Sequence, residues 1–323
     1  MLLAAVAIIL GFIVLIWSAD LFVAGAASIA ENFGLSPIVI GLTIVSLGTS
    51  APEVLVSLTA ALAGSGELAI GNAIGSNIAN VALVFGATLL VAPLMVREQC
   101  MRRELPALLL VTFGAGLLIL DRELSPLDGW FMLGVLALMI THLVRTQSQF
   151  PETLLEADTD LPHLGPTRAW LYFLVGLLLL IGSSRLLVWG AATAAEELGV
   201  PELVIGLTIV AVGTSLPELA ATVASAMRGH TEIALGNIIG SNIYNLLAVM
   251  SIPGIVGTQV LSDEAVTRDY FIMTLLTVFL ALAVVVSHKR DKSRPGHAYL
   301  GRVLGTLLVS FYGLYYYLLH SAI

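Results

Sequence analysis

Apolar residues run through this chain in long blocks separated by short polar punctuation, at 2–23, 36–63, 69–92, 103–120, 126–144, 169–192, 201–227, 234–256, 269–288 and 300–319. A helix needs about 20 mostly apolar residues to cross the hydrocarbon layer of a bilayer. Each block therefore predicts one transmembrane helix, ten in all. Alternation at period two, the pattern of a transmembrane barrel, is missing from them. The first block has no basic residue ahead of it and no small-residue cleavage site behind a short core, so it reads as a retained span and not as a signal peptide. One long polar stretch, rich in Asp, Glu and Pro, interrupts the series, and it reads as an exposed linker over 146–168 between two membrane halves, 1–145 and 169–323.

The halves repeat each other. GLTIVSLGTSAPE, Gly41 to Glu53, returns as GLTIVAVGTSLPE, Gly206 to Glu218; GNAIGSNIAN, Gly71 to Asn80, returns as GNIIGSNIYN, Gly236 to Asn245. Both pairs lie 165 residues apart. With five predicted spans per half, an odd number, the second copy enters the membrane upside down relative to the first. The expected fold is an all-α polytopic membrane protein, ten helices as two inverted five-helix repeats with broken helices at a central ion site.

The repeated segments carry polar groups into hydrocarbon. Thr49, Ser50 and Glu53, and again Thr214, Ser215 and Glu218, fall mid-span on one helical face. A carboxylate at that depth costs several kcal/mol, of order 3, unless a polar cavity or partner receives it. No Lys or Arg lies within these particular spans, so a mobile cation is the natural counter-charge. Pro52 and Pro217 lack an N–H and clash with the carbonyl four residues earlier, so the helix is expected to open around Gly48 and Gly213 and release carbonyl oxygens. In the companion segment Ser76 and Asn80, with Ser241 and Asn245, are the chosen additional side-chain ligands. Asn72, Asn77, Asn237 and Asn242 are read as hydrogen bonds between helices, and Gly71, Gly75, Gly236 and Gly240 as a small-residue stripe that admits a neighbouring helix. An all-oxygen donor set suits Na⁺, Ca²⁺ or Mg²⁺ and argues against zinc or copper.

Composition narrows the function further. With 58% hydrophobic and 11% charged residues and a mean hydropathy of +0.98, a soluble globule is excluded. A net charge of −8 does not suit a nucleic-acid binder, and a single cysteine, Cys100, excludes disulfide or zinc-cluster scaffolds. There is no HExxH, no paired Cys and His, and no phosphate-cradling GxxxxGK loop, so a gradient-driven carrier is expected, not an enzyme and not an ATP-driven pump. Arg97, Arg102, Arg103, Arg145, Arg168, Arg228 and the basic group from Lys289 to Arg302 fall on one side of the predicted topology, against Arg122 and Arg268 on the other. The positive-inside rule then puts both termini outside. Asp20 reads as an interfacial acid, Arg185 as a snorkelling side chain, the histidines as solvated, Cys100 as passive, and Tyr312, Tyr315, Tyr316 and Tyr317 as an interfacial belt.

The paired GTSxPE and GNxxGSNIxN segments closely resemble the α-repeats of the sodium/calcium exchangers within the cation/calcium antiporter superfamily, in particular its short prokaryotic members. The resemblance implies a secondary antiporter of a prokaryotic plasma membrane that exchanges Na⁺ for Ca²⁺ by alternating access, with electrogenic Ca²⁺ extrusion. It implies Glu53 and Glu218 as the central calcium ligands, Thr49 and Thr214 beside them, Ser50 and Ser215 in sodium sites, Ser76 and Ser241 as a second hydroxyl pair, and backbone carbonyls from Ser46 and Ala211. It also implies two long tilted peripheral helices that slide against the core. Asn80 and Asn245 depart from relatives that carry an aspartate in this pair, which leaves Glu53 and Glu218 as the core carboxylates. No cofactor is expected; the partners are Ca²⁺, Na⁺ and membrane lipid, with no nucleic acid, no soluble regulatory domain, and a monomer as the expected state. A proton-coupled antiporter of the same superfamily is the alternative, and a cation channel the reading outside the class.

Overall fold

The computed structural model describes residues 1–147, 164–199, 211–290 and 296–321. Most of the linker expected at 146–168, the first part of the seventh predicted span, His163, Lys292 and Arg294 lie outside the described residues. The described chain is overwhelmingly helical: α1 Leu2–Phe33, α2 Pro37–Thr49, α3 Ala51–Leu62, α4 Gly66–Val91, α5 Glu104–Leu118, α6 Pro126–Gln147, α7 Pro166–Glu197, α8 Leu216–Met227, α9 Thr231–Val256, α10 Ala265–Lys289 and α11 Arg302–Ser321. Seven of these are each long and apolar enough to cross a membrane, and α2 with α3, bent by 46° at a short break, makes an eighth. Helix α5 has 15 residues, short of a full crossing by itself.

Two small ribbons correct the wholly helical expectation. Strand β1, Leu94–Arg97, pairs antiparallel with β4, His297–Leu300; β2, Glu123–Leu124, pairs with β3, Gln259–Val260. Both join connections remote in sequence, and both join ends that successive helices bring to the same side of the bundle. Other contacts agree. The terminal amine of Met1 meets Glu197 at one end, where Arg122 also pairs with Asp263 at 2.6 Å. At the opposite end Asn32 Nδ2 donates to Leu164 O at 2.8 Å, Arg97 pairs with Glu232 at 2.9 Å, and Arg228 pairs with Asp20 at 2.9 Å.

Helices α1 and α7, 32 residues each, outrun the predicted spans. The residues beyond the predicted edge of α1 are small and buried against the bundle, so the helix continues after its hydropathy falls. It stops at Gly34, whose φ of 62° is left-handed and costs glycine nothing, while Pro37 opens α2. The two long helices pack on each other through glycines at repeat-equivalent positions. A Cβ on Gly25 would stand 2.4 Å from Phe173 N and one on Gly176 2.6 Å from Phe22 N, whereas on Gly11 or Gly190 the nearest atoms would be 3.0 Å away, Leu187 Cβ and Ala4 O. The contact is tighter toward the Phe33 end of α1 than toward Met1. The opposite face of α1 exposes Ile9, Phe12, Ile13, Ile16 and Trp17.

At the centre lie the helices that carry the repeated Gly-Asn segments. In their most apolar windows α9 is 94% and α4 72% buried, against 33% for α1. Close approach here needs glycine: α2 crosses α9 with Gly41 and Gly236 face to face, and a Cβ on Gly240 would stand 2.5 Å from Ser46 Oγ. The small-residue stripe acts as expected in this copy; Gly206, the equivalent of Gly41 that would face the other copy, lies outside the described residues. Gly71 is exposed, and among the described residues nothing stands within 4 Å of a Cβ on Gly71 or Gly75.

The isolated residues diverge from their sequence readings in places. Asp20 is half-buried in an ion pair, and Arg185, which occupies the repeat-equivalent position, is exposed. The residue equivalent to Arg228 is Ala63. His230 is half-buried with Nε2 unpartnered, not solvated, because it sits in the turn packed between α8 and α9. Tyr312 is buried, and Tyr315 donates to Asp269 Oδ1 at 3.0 Å, so this run is not a simple interfacial belt. Cys100 is buried.

Candidate functional site

Helix breaks in α2–α3 and before α8 organise the site. The sequence places the opening at Gly48 and Gly213; the structure moves it two residues on, to Ser50 with φ −82° and ψ 6° and to Ser215 with φ −86° and ψ 2°. The cause is still proline. Pro52 and Pro217 occupy the first turn of the next helix, where a missing N–H and a fixed φ are tolerated. Glu53 and Glu218 thus stand in the first turns of α3 and α8, at the helix ends whose partial positive charge favours anions. Ahead of the first break, Gly41–Val45 is a π-helical turn that runs into Ser46–Thr49. The companion segments repeat this: Asn80 and Asn245 each open a π-helical turn, Asn80–Phe85 and Asn245–Val249. Single π turns of this kind expose backbone carbonyls and recur at functional sites.

These elements bring both repeats into contact. Glu53, Glu218, Ser50, Ser215, Asn80 and Asn245 are each 1% exposed, Thr49, Ser46 and Ser241 0%, and Ser76 6%. Across the repeats Ser50 Oγ donates to Glu218 Oε1 at 3.2 Å, and Thr49 Oγ1 donates to Asn237 Oδ1 at 3.1 Å. Asn77 Nδ2 donates to Asn242 O at 3.1 Å, which joins α4 to α9 as the sequence reading expects. Thr214 ends the short turn Ala211–Thr214 and is half-buried. Ala211 opens that turn; its side chain lies outside the described residues. Ten of the candidate residues are therefore buried, with Ser50 and Glu218 joined across the repeats, and Thr214 and the Ala211 backbone lie on the segment leading into the second break.

The oxygen inventory defines what this arrangement can do. Glu53 Oε2, Glu218 Oε2, Ser215 Oγ, Ser241 Oγ, Asn80 Oδ1 and Asn245 Oδ1 are buried with no hydrogen-bond partner. An unpartnered buried oxygen costs about 1–3 kcal/mol, more for a charge, so six on the repeated segments are groups that a bound ion would satisfy. Among the described residues no group of three or more His, Cys, Asp or Glu is placed to hold a metal. Two carboxylates with neutral hydroxyl, amide and carbonyl oxygens fit a hard cation of the group I or II kind.

One carbonyl at the second expected break finds a partner within the protein. The carbonyl of Gly213, which faces Pro217 and loses its helical donor, accepts a hydrogen bond from Ser184 Oγ of α7 at 2.9 Å. Ser184 carries no signal in the repeat, because its equivalent in the first half is Ala19. The sequence reading assigns Asn237 to a hydrogen bond between helices, and it makes one with Thr49; that this partner is itself a candidate ligand is not visible from spacing within one helix.

A membrane protein with two broken helices and a buried cluster of unpartnered oxygens belongs to the class of ion carriers. The sodium/calcium exchanger protein family is matched over residues 3–145 and 168–320, and the chain belongs to that family. It is 44% identical over its whole length to the putative antiporter CaxA of Alkalimonas amylolytica, which it also covers completely. It is 31% identical to the sodium/calcium exchanger MaX1 of Methanosarcina acetivorans, over 87% of this chain and 90% of that one. Its fold is similar to the solved sodium-calcium exchanger NCX_Mj, soaked with 2.5 mM Na⁺ and 0.1 mM Ca²⁺, with a TM-score of 0.82 at 27% identity over 100% of this chain and 99% of that one. The chain is thus a membrane antiporter of the cation/Ca²⁺ class.

Proposed function

We propose that this protein exchanges Na⁺ for Ca²⁺ by alternating access, with Glu53 and Glu218 as the shared charged ligands of both ions. The reading rests on one observation above the others: six buried oxygens without partners on the repeated segments, four of them from the matching pairs Glu53 with Glu218 and Asn80 with Asn245, and two from Ser215 and Ser241, with no Lys or Arg on those segments. Thr49, Thr214, Ser50, Ser215, Ser76, Ser241, Asn80 and Asn245 supply neutral oxygens, with the Ser46 and Ala211 carbonyls. Na⁺ and Ca²⁺ compete for overlapping donors, and an empty site with two negative charges reorients poorly through a low-dielectric barrier, which couples the two fluxes. One Ca²⁺ neutralises the two carboxylates; three Na⁺ leave one positive charge, so a three-for-one cycle is electrogenic, and each charge moved is worth about 2.3 kcal/mol per 100 mV. We further propose ten crossings in two inverted halves, 1–145 and 169–323, both termini outside a prokaryotic plasma membrane, and Ca²⁺ extrusion as the working direction.

Proteoliposomes loaded with Na⁺ and diluted into radioactive Ca²⁺ test the proposal. Uptake that follows the outward Na⁺ gradient, is inhibited by external Na⁺, and falls at least about a hundredfold in Glu53→Gln and Glu218→Gln, as loss of a charged ligand worth about 3 kcal/mol requires, is the expected result. Uptake driven by a proton gradient and indifferent to Na⁺ would overturn Na⁺ coupling in favour of proton coupling.

A further inference from the structure

A hydroxyl has one proton to give and two lone pairs. Thr49 Oγ1 has three acceptors about it, Asn237 Oδ1 at 3.1 Å, Ser46 O at 3.4 Å and the Glu218 carboxylate. Ser46 O already accepts the Ser50 N–H at 3.0 Å, so Thr49 and a cation would compete for its remaining lone pair. Asn237, fully buried, has its own orientation fixed: Nδ2 donates to Thr222 Oγ1 at 2.9 Å and points at Glu218 O at 3.5 Å. A carbonyl only accepts, so the amide cannot be turned round without setting Oδ1 against Glu218 O. Its oxygen therefore faces Thr49, and a buried amide oxygen left without a donor costs about 1–3 kcal/mol. A cation on the Glu218 carboxylate repels a hydroxyl proton aimed there, so with the site loaded the proton of Thr49 goes to Asn237.

We propose that Asn237 is a positioning residue of the ion site: by accepting the Thr49 proton it leaves Thr49 Oγ1 as a pure lone-pair donor and frees the Ser46 carbonyl for the same cation. The inference rests on the ion site proposed above and deepens it, since it makes a residue of the second repeat responsible for the ligand geometry of the first. Asn72 repeats the nitrogen half of the pattern, with Nδ2 donating to Ser57 Oγ at 3.1 Å and to Glu53 O at 3.2 Å. The distinction from packing is that a packing residue affects the fold, whereas a proton acceptor for Thr49 makes the worth of Thr49 depend on it.

A double-mutant cycle separates these. The half-saturating Ca²⁺ concentration of exchange is measured in proteoliposomes for wild type, Thr49→Val, Asn237→Ala and the pair, with turnover at saturation read alongside. Thr49→Val is expected to raise half-saturation about tenfold in the wild-type background and less than threefold in Asn237→Ala, where Thr49 has already lost its orientation. In Asn237→Asp, which keeps an acceptor oxygen, Thr49→Val regains the full tenfold effect. If Asn237→Ala does not fold, Asn237→Ser, too short to reach Thr49, takes its place. The same fold-change for Thr49→Val in every background overturns the inference while Na⁺-driven uptake by the wild type leaves the exchange reading standing. Absence of Na⁺-driven uptake in the wild type overturns that reading instead, and is seen without any variant.

Discussion

The seam between α1 and α7 offers a matched pair of substitutions. Gly11 and Gly176 are repeat-equivalent, both helical, and both face the other long helix, yet their surroundings differ. A methyl on Gly176 would meet Phe22 N, Cα and Cβ at 2.6, 2.7 and 2.9 Å, whereas on Gly11 it would meet Leu187 Cβ, N and Cα at 3.0, 3.1 and 3.2 Å. Ordinary contact begins near 3.4 Å, so Gly176→Ala forces the backbones apart by about 0.8 Å and Gly11→Ala by about half that. Overpacking of that order costs about 1–3 kcal/mol, and the better helix propensity of alanine returns up to about 1 kcal/mol. The net expectation is a loss of about 1–2 kcal/mol for Gly176→Ala and about zero for Gly11→Ala. Thermal unfolding of the purified protein in detergent reads this as a melting temperature lower by about 2–5 °C in the first variant and unchanged within about 1 °C in the second. Equal shifts, or a larger one for Gly11→Ala, would refute the reasoning from local clearance.

Three further outcomes follow from contacts already described. Ser184→Ala leaves the Gly213 carbonyl without its donor and should lower stability by about 1 kcal/mol while slowing turnover more than it changes Ca²⁺ half-saturation; an unaltered turnover would show that the α7 contact does not support the break. Asp20→Asn and Arg228→Gln should each change stability by no more than about 1 kcal/mol, an effect that shrinks in high salt, because the pair is substantially exposed. Burial holds the His230 imidazole below its usual value near 6.5, opposed by Glu31 and aided by Arg228. The folded state thus binds fewer protons there than the unfolded chain. This share of stability is full above pH 6.5 and is lost as pH falls through the lower folded value, so His230→Gln should flatten the fall of melting temperature on acidification below pH 6.5, and an identical slope would be evidence against it.

Much of this site was legible because the polar residues recur in a setting where each is expensive. Glu53 and Glu218 stand out from apolar surroundings by charge alone, and the prolines that follow Ser50 and Ser215 announce a break, misplaced by two residues because the first turn of the next helix absorbs proline. What spacing within one helix could not show are contacts between helices: Thr49 with Asn237 across the repeats, and Ser184 with Gly213 inside the second repeat. The extra length of α1 was readable in principle from Gly34 and Pro37, but hydropathy drops earlier because Ala24, Ala26, Ala27 and Ala30 are small. The ribbons were hidden for a different reason, since Leu94–Arg97 and His297–Leu300 are four residues each and far apart in the chain, with no local turn to declare the pairing.

A duplicated machine with interchangeable halves would have two resting postures of equal depth. The Asp20–Arg228 pair breaks that parity, because the mirror positions hold Arg185 and Ala63, which have no attraction to offer each other. Even a contribution of 1 kcal/mol or less, about what an exposed pair supplies, tips the populations of the two postures by up to about fivefold. Under the proposed alternating-access cycle, one acid without a counterpart in the other half sets a preferred way to wait.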